Sequence, residues 1–112
     1  MNSFVMYLQS STQYEEINDI LSFIGEDSSG RFGIMANHGR MMTCLKFGLS
    51  WFRHEDNTEE YLAVPGGVLY FNENKLFVNT RHFFRNKNYE IITTAIENQL
   101  IQEEDTVNAS KS

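Results

Sequence analysis

Gly30-Arg31-Phe32-Gly33-Ile34-Met35-Ala36-Asn37-His38-Gly39 sets three glycines around two apolar pairs within ten residues. Glycine has no Cβ and enters φ > 0 without penalty, so a run of this kind reads as a tightly folded turn system. Arg31 to Met35 is short enough for one strand, and Ala36 to Gly39 turns the chain again. The run lacks a Lys and Ser/Thr in the order that cradles phosphate, so it is not a P-loop, and it lacks the G-x-G-x-x-G spacing of a dinucleotide turn.

The same punctuation continues on both sides. Upstream, Phe4-Val5-Met6-Tyr7-Leu8 reads as a first strand ending in the turn cluster Gln9-Ser10-Ser11-Thr12, and Glu26 to Gly30 is a turn. Downstream, Met41 to Phe47 is a strand that Gly48 breaks and Leu49 to Arg53 resumes. A polar loop, His54 to Thr58, leads to the strand Glu59–Val64. Pro65-Gly66-Gly67 interrupts, Val68 to Phe71 follows, and Asn72-Glu73-Asn74 turns the chain into Lys75–Thr80. Short apolar runs between turns every eight to twelve residues indicate an antiparallel sandwich or barrel.

Residues 14 to 24 carry two readings. Tyr14, Ile17, Ile20, Leu21 and Ile24 fit a helix; Ile17, Asp19, Leu21 and Phe23 fit one face of a strand, with Ile20 and Ile24 on the other. Taken alone, the spacing leans to helix. After Arg85, Tyr89, Ile92, Ala95, Ile96 and Gln99-Leu100 follow helical spacing without Gly or Pro, which predicts one amphipathic helix over about Lys87–Glu103. Asn86 or Asn88 is its candidate cap, and Thr106 to Ser112 is expected to fray.

With 112 residues, 41% hydrophobic and 13% aromatic, one globular domain with a core of its own is expected. Fifteen acidic residues against nine basic ones give a net charge of −6, which argues against nucleic acid and against adsorption on anionic lipid. The lone Cys44 excludes an internal disulfide and, in an apolar run, is expected to be buried. No leader is expected, and no apolar run reaches the ~20 residues of a membrane span. The expectation is a cytoplasmic chain without direct membrane insertion, held near a membrane only through a partner.

No motif asks for catalysis. His38, His54 and His82 have no ligand at metal spacing. His54 is expected to be solvated, His82 to lie at a strand edge, and His38 to bond its local backbone. Glu59-Glu60, Glu26-Asp27 and Glu103-Glu104-Asp105 are neighbours in sequence, and on a strand such pairs point to opposite faces. The same rule sends only one of Met41 and Met42 to the core.

The run Gly30 to His38, continuing through Arg40-Met41-Met42-Thr43-Cys44-Leu45-Lys46, resembles the turn of the epsilon subunit of rotary F-type ATP synthases, called delta in mitochondria. The family usually has Pro where this chain has Ala36. Glu59 to Leu69, with Pro65-Gly66-Gly67, resembles its second signature, and Lys75 to Arg81 is similar to its last strand. Glu26 to Ile34 is particularly similar to the epsilon of N-type ATPases, thought to be ion pumps. The resemblance favours strand over helix at 14–24. It implies two five-stranded sheets packed as a sandwich over residues 1–85, about ten short strands in all, and a shortened helical part over 86–112.

The resemblance also implies a role: a central-stalk rotor subunit without a catalytic site, cofactor or metal, coupling proton or sodium transport to ATP synthesis or hydrolysis. It implies contact with the c ring through Gly30, Arg31, Asn37 and His38, and contact with gamma through Met41, Met42, Pro65, Gly66 and Gly67. Arg31 stands where the family is usually acidic or polar, so it would pair with an acidic c loop or be a solvated turn residue. The second C-terminal helix of common epsilon subunits, which inhibits hydrolysis, is not expected here, nor is their Asp-x-x-Arg-Ala nucleotide site. Two other classes stand beside this one: a generic β-sandwich interaction module, and a small cupin-like metal enzyme using His38, Glu60 and His82.

Overall fold

Phe4, Met6 and Leu8 turn inward along β1 (Phe4–Gln9) while Val5, Tyr7 and Gln9 face out, the two-residue period of a half-buried strand. Residues 2–101 are described by the structure, a computed structural model. Eight more strands follow: β2 (Tyr14–Asp27), β3 (Gly30–Met35), β4 (Met41–Leu45), β5 (Gly48–His54), β6 (Glu59–Val64), β7 (Gly67–Asn72), β8 (Lys75–Asn79) and β9 (Phe84–Asn86). A helix, α1 (Tyr89–Ala95), follows β9 and runs into a π-helical turn, Ile96–Ile101.

The strands hydrogen-bond in the order β4-β7-β8-β1-β2-β5-β6-β9, with β3 also on β2. The path is continuous, yet it makes two layers because β2 serves both. Its first half pairs with β1, and its second half pairs with β3 and β5. Counted in each layer, β2 completes two sheets of five, which is how nine strands meet the expected ten. One pairing departs from the antiparallel expectation: β1 and β8 run parallel, Val5 opposite Lys75 through Gln9 opposite Asn79.

The crossover inside β2 explains its double reading. Ile17, Ile20 and Phe23 all point to the core, three residues apart. A flat strand would bury every second residue. A register shift in each pairing advances the chain by an extra residue, the first of them spanning Asp19, which is left-handed at φ 60°. Bulges of this kind bend a strand and raise its twist. The spacing that imitates a helix is therefore the trace of a bulged, bent strand, and Asp19 and Leu21 do not join the buried face as a straight strand would require.

Between the layers lie Met6, Leu8, Ile20, Phe23, Ile34, Phe52, Leu62, Leu69, Phe71, Leu76 and Val78, all fully buried. Phe4 meets Phe71 edge to face, with centroids 5.5 Å apart. A smaller cluster lies outside the second layer, where Ile92 of α1 covers Ala63 beside Phe47, Leu49, Tyr61, Phe84 and Ile96. Asn88 caps the helix by accepting from the Ile91 N–H at 3.1 Å, and Asn86 holds the Asn88 N–H at 2.8 Å. The expected helix over 87–103 is thus a short α-helix from Tyr89 continued by a π-turn. Its last two residues and the tail lie outside the described residues. The boundary expected at 85 falls inside β9. No helix among the described residues is long and apolar enough to cross a membrane.

Candidate functional site

Outward-facing residues of the first layer line up across the strands. Met42 of β4 is opposite Tyr70 of β7, Tyr70 is opposite Phe77 of β8, and Phe77 is opposite Tyr7 of β1. Tyr7 and Phe77 stack with centroids 5.0 Å apart; Tyr70 and Tyr14 extend the row at 6.1 and 6.5 Å. Met42 is 69% exposed, Tyr14 60% and Val68 44%. The result is a continuous apolar band, from Tyr14 on β2 to Met42 on the edge strand β4. Exposed apolar surface scattered singly is ordinary, but a contiguous band is a mark of a docking surface.

Only part of this band was visible in sequence. Of the two adjacent methionines, Met42 faces out and Met41 packs against the core. Nothing in the sequence alone groups Tyr7, Tyr70 and Phe77, because their alignment depends on the register of three strands. Cys44, opposite Val68 on the same face, is exposed and not buried. The sequence showed the apolar run, but alternation along an edge strand decides which of its members face out.

Pro65, Gly66 and Gly67 have a structural explanation of their own. Gly66 sits at φ 122°, a conformation reserved for glycine, and its carbonyl accepts from Thr80 Oγ1 at 2.6 Å. A Cβ on Gly67 would lie 2.6 Å from the Asn79 carbonyl oxygen. The pair lets β7 enter the sheet against the end of β8. Gly67 pairs with Leu45, at the opposite end of β4 from Met41.

The four residues expected to meet the c ring do not share one end of the sandwich. Gly30 and Arg31 begin β3, and Asn37 and His38 follow its other end, separated by roughly 20 Å of extended chain. Near Gly30, Glu26 accepts from the Lys46 N–H at 2.9 Å, and Thr43 Oγ1 donates to Asp27 Oδ2 at 2.7 Å. That hydroxyl, followed by the Ser29 N–H, holds the Asp27 carboxyl below its usual value of 3.8. Arg31 stacks over Trp51, with 5.0 Å from guanidinium carbon to ring centroid. The neighbouring carboxylates are engaged elsewhere, Glu26 with Lys46 at 3.7 Å and Glu59 with Arg53 at 3.0 Å.

At the far end, His38 closes the 36–39 turn. Its N–H bonds the Met35 carbonyl at 3.1 Å, its Nδ1 lies 2.7 Å from the Gly39 carbonyl, and its ring stands edge-on to Phe71. His54 is not simply solvated: it ends β5 with Nε2 2.9 Å from Glu60 Oε1. Glu60 turns inward, 6% exposed, and also faces Arg85, while Glu59 faces out. His82 packs against the ring of Phe84. His38, Glu60 and His82 therefore each have separate neighbours, and among the described residues no three His, Cys, Asp or Glu side chains gather to hold a metal.

Comparison with known proteins matches this arrangement. A family model for the ATP synthase Delta/Epsilon chain, beta-sandwich domain, fits residues 11–86. The ATP synthase epsilon chain of Campylobacter fetus subsp. fetus is 30% identical over 61 residues, covering 54% of this chain and 47% of that protein. ATP synthase epsilon chain 2 of Cereibacter sphaeroides is 33% identical over 54 residues, 48% of this chain and 37% of that one. The matched stretch thus spans less than half the length of either relative. Among solved structures, the chain resembles one in the mitochondrial ATP synthase of Euglena gracilis (OSCP/F1/c-ring, rotational state 1), with TM-score 0.71, 16% identity and coverage of 87% and 63%. It also resembles one in the central stalk and c-ring of the Tetrahymena thermophila mitochondrial enzyme, with TM-score 0.64, 12% identity and coverage of 73% and 66%. At those identities the likeness is one of fold.

Proposed function

Since this chain belongs to the delta/epsilon beta-sandwich family of ATP synthase subunits, we propose that it serves as a non-catalytic rotor subunit of an F-type ATPase, coupling ion transport to ATP synthesis or hydrolysis. It would lie on the cytoplasmic side, peripheral to the membrane. The observation that carries this reading is the outward-facing band Tyr14–Tyr7–Phe77–Tyr70–Met42, half-buried at its aromatic centre and exposed at Tyr14 and Met42. A rotor part must pass torque without yielding, and a face of interlocked aromatic side chains on a closely packed sheet is stiff. In this proposal gamma covers that band, with Met42 and Val68 at its rim and Pro65 to Gly67 bordering it.

The separation along β3 divides the expected c-ring contacts. One flat ring of loops meets one end of the sandwich, so we assign it the Gly30–Arg31 end, where the guanidinium on Trp51 has no ion pair among the described residues. The turn at Asn37 and His38 leads directly into β4 and borders the band, so it belongs with gamma. An exposed Arg–carboxylate pair to a c loop contributes at most about 1 kcal/mol, so Arg31 would steer register more than affinity.

Co-purification with gamma from the same genome tests the reading. A stable one-to-one complex on size exclusion, lost in Met42→Glu and Tyr70→Glu but kept in Arg53→Glu on the other layer, supports it. Failure of the native chain to bind soluble gamma would leave a β-sandwich interaction module with another partner.

A further inference from the structure

The turn Met35-Ala36-Asn37-His38 joins the second layer to edge strand β4. Its geometry is that of a type II turn: His38 N–H bonds Met35 C=O at 3.1 Å, and Asn37 at the third position has φ 69°. Such turns are commonly stiffened by Pro at the second position, which here is Ala36. A second device is present. The Asn37 N–H donates to Asn74 Oδ1 at 2.6 Å, and Asn74 Nδ2 donates back to Asn37 Oδ1 at 3.1 Å. The two residues are 37 apart in sequence.

Asn74 belongs to the two-residue turn of the β7–β8 hairpin. Both Glu73 and Asn74 are left-handed there, at φ 51° and 60°, as a type I′ hairpin requires. β7 and β8 carry Tyr70 and Phe77 of the aromatic band. We propose that Asn74 is a positioning residue: its side chain clasps the 36–39 turn to the hairpin, and so fixes edge strand β4, with Met42, in line with the band that gamma covers. The clasp replaces covalent stiffness at position 36 with two hydrogen bonds to the layer that must be aligned. His38 adds to it by resting edge-on against Phe71, centroids 5.9 Å apart. This inference rests on the reading that gamma covers the band.

The test combines three variants. Asn74→Gly keeps the left-handed turn and removes the amide; Asn74→Asp keeps the acceptor for the Asn37 N–H; Ala36→Pro stiffens the turn independently. Hydrogen exchange at the Asn37 amide should quicken by about tenfold in Asn74→Gly and stay within about threefold in Asn74→Asp. Affinity for purified gamma should fall by about five- to tenfold in Asn74→Gly and return to within about twofold when Ala36→Pro is added. A purely structural role would lower the melting temperature without that rescue of binding. Unchanged Asn37 exchange in Asn74→Gly, or unchanged gamma affinity with the exchange raised, overturns the inference. Undiminished binding by Met42→Glu would instead overturn the reading on which it rests.

Discussion

Arg85 lies with Nη1 3.1 Å from Oε2 of Glu60, and Glu60 is an inward-facing carboxylate at the foot of the core. The same guanidinium reaches Glu15 through Nε at 3.2 Å. Glu15 is on the first half of β2 and Glu60 on β6, so one side chain of β9 ties the two layers together just before α1. His54 completes the group from β5. The Arg85 Nη1 contact has the distance of an ion pair without the angle of a hydrogen bond, so its strength is Coulombic.

Removing one member of a buried pair strands the other. Arg85→Met is expected to destabilise the fold by about 2–3 kcal/mol, since His54 still faces Glu60. The double variant Glu60→Leu/Arg85→Met should recover most of that loss, because no buried charge remains. Urea unfolding of the three proteins checks both outcomes; a double variant as unstable as Arg85→Met would show that packing, not charge, is what Arg85 contributes.

Gly67 and Gly39 should respond oppositely to alanine. A Cβ at 67 would stand 2.6 Å from a backbone oxygen that cannot turn aside, whereas one at 39 meets nothing within 4 Å. Gly67→Ala is expected to cost about 2 kcal/mol or more and Gly39→Ala less than about 0.5 kcal/mol, read from denaturant midpoints.

The Asp27 carboxyl is held below 3.8, first by the Thr43 hydroxyl and then by the Ser29 N–H. A depressed carboxyl stabilises the fold above its unfolded value and loses that contribution as pH falls through its native value. Stability should therefore decline below pH 3.8, and Thr43→Val should move the Asp27 titration up toward 3.8. Side-chain carboxyl chemical shifts followed against pH report it; no movement in Thr43→Val would mean that the Ser29 contact alone sets the shift.

Cys44 offers a probe of the proposed gamma surface without a new substitution. It is exposed on the outer side of β4, one register step from Met42 and opposite Val68. The native chain should react with a thiol reagent stoichiometrically and without unfolding, and gamma should slow that reaction by about tenfold or more if it covers the band. Equal rates with and without gamma would move gamma to another face.

The family, the mainly β architecture, the hairpin turns at Asn57 and at Glu73-Asn74, and the C-terminal helix were legible from residue order alone. These features depend on local rules: turn residues set φ, apolar periods set the buried face, and Asn88 caps a helix wherever it occurs. The stretch 14–24 misled for an equally physical reason. Ile17, Ile20 and Phe23 keep helical spacing because two irregularities, one at the left-handed Asp19, shift the strand's phase.

What tertiary structure alone decided is everything that needs two distant strands in register. The aromatic band exists because Tyr7, Phe77 and Tyr70 fall at one level of three neighbouring strands. The inward turn of Glu60 acquires its meaning only when Arg85 and His54 arrive from β9 and β5. The parting of Arg31 from His38 follows from the uninterrupted strand β3 that runs from Gly30 to Met35 between them. Sequence carries the period of a strand, but which neighbour lies across from it is fixed by the packing of the whole sheet.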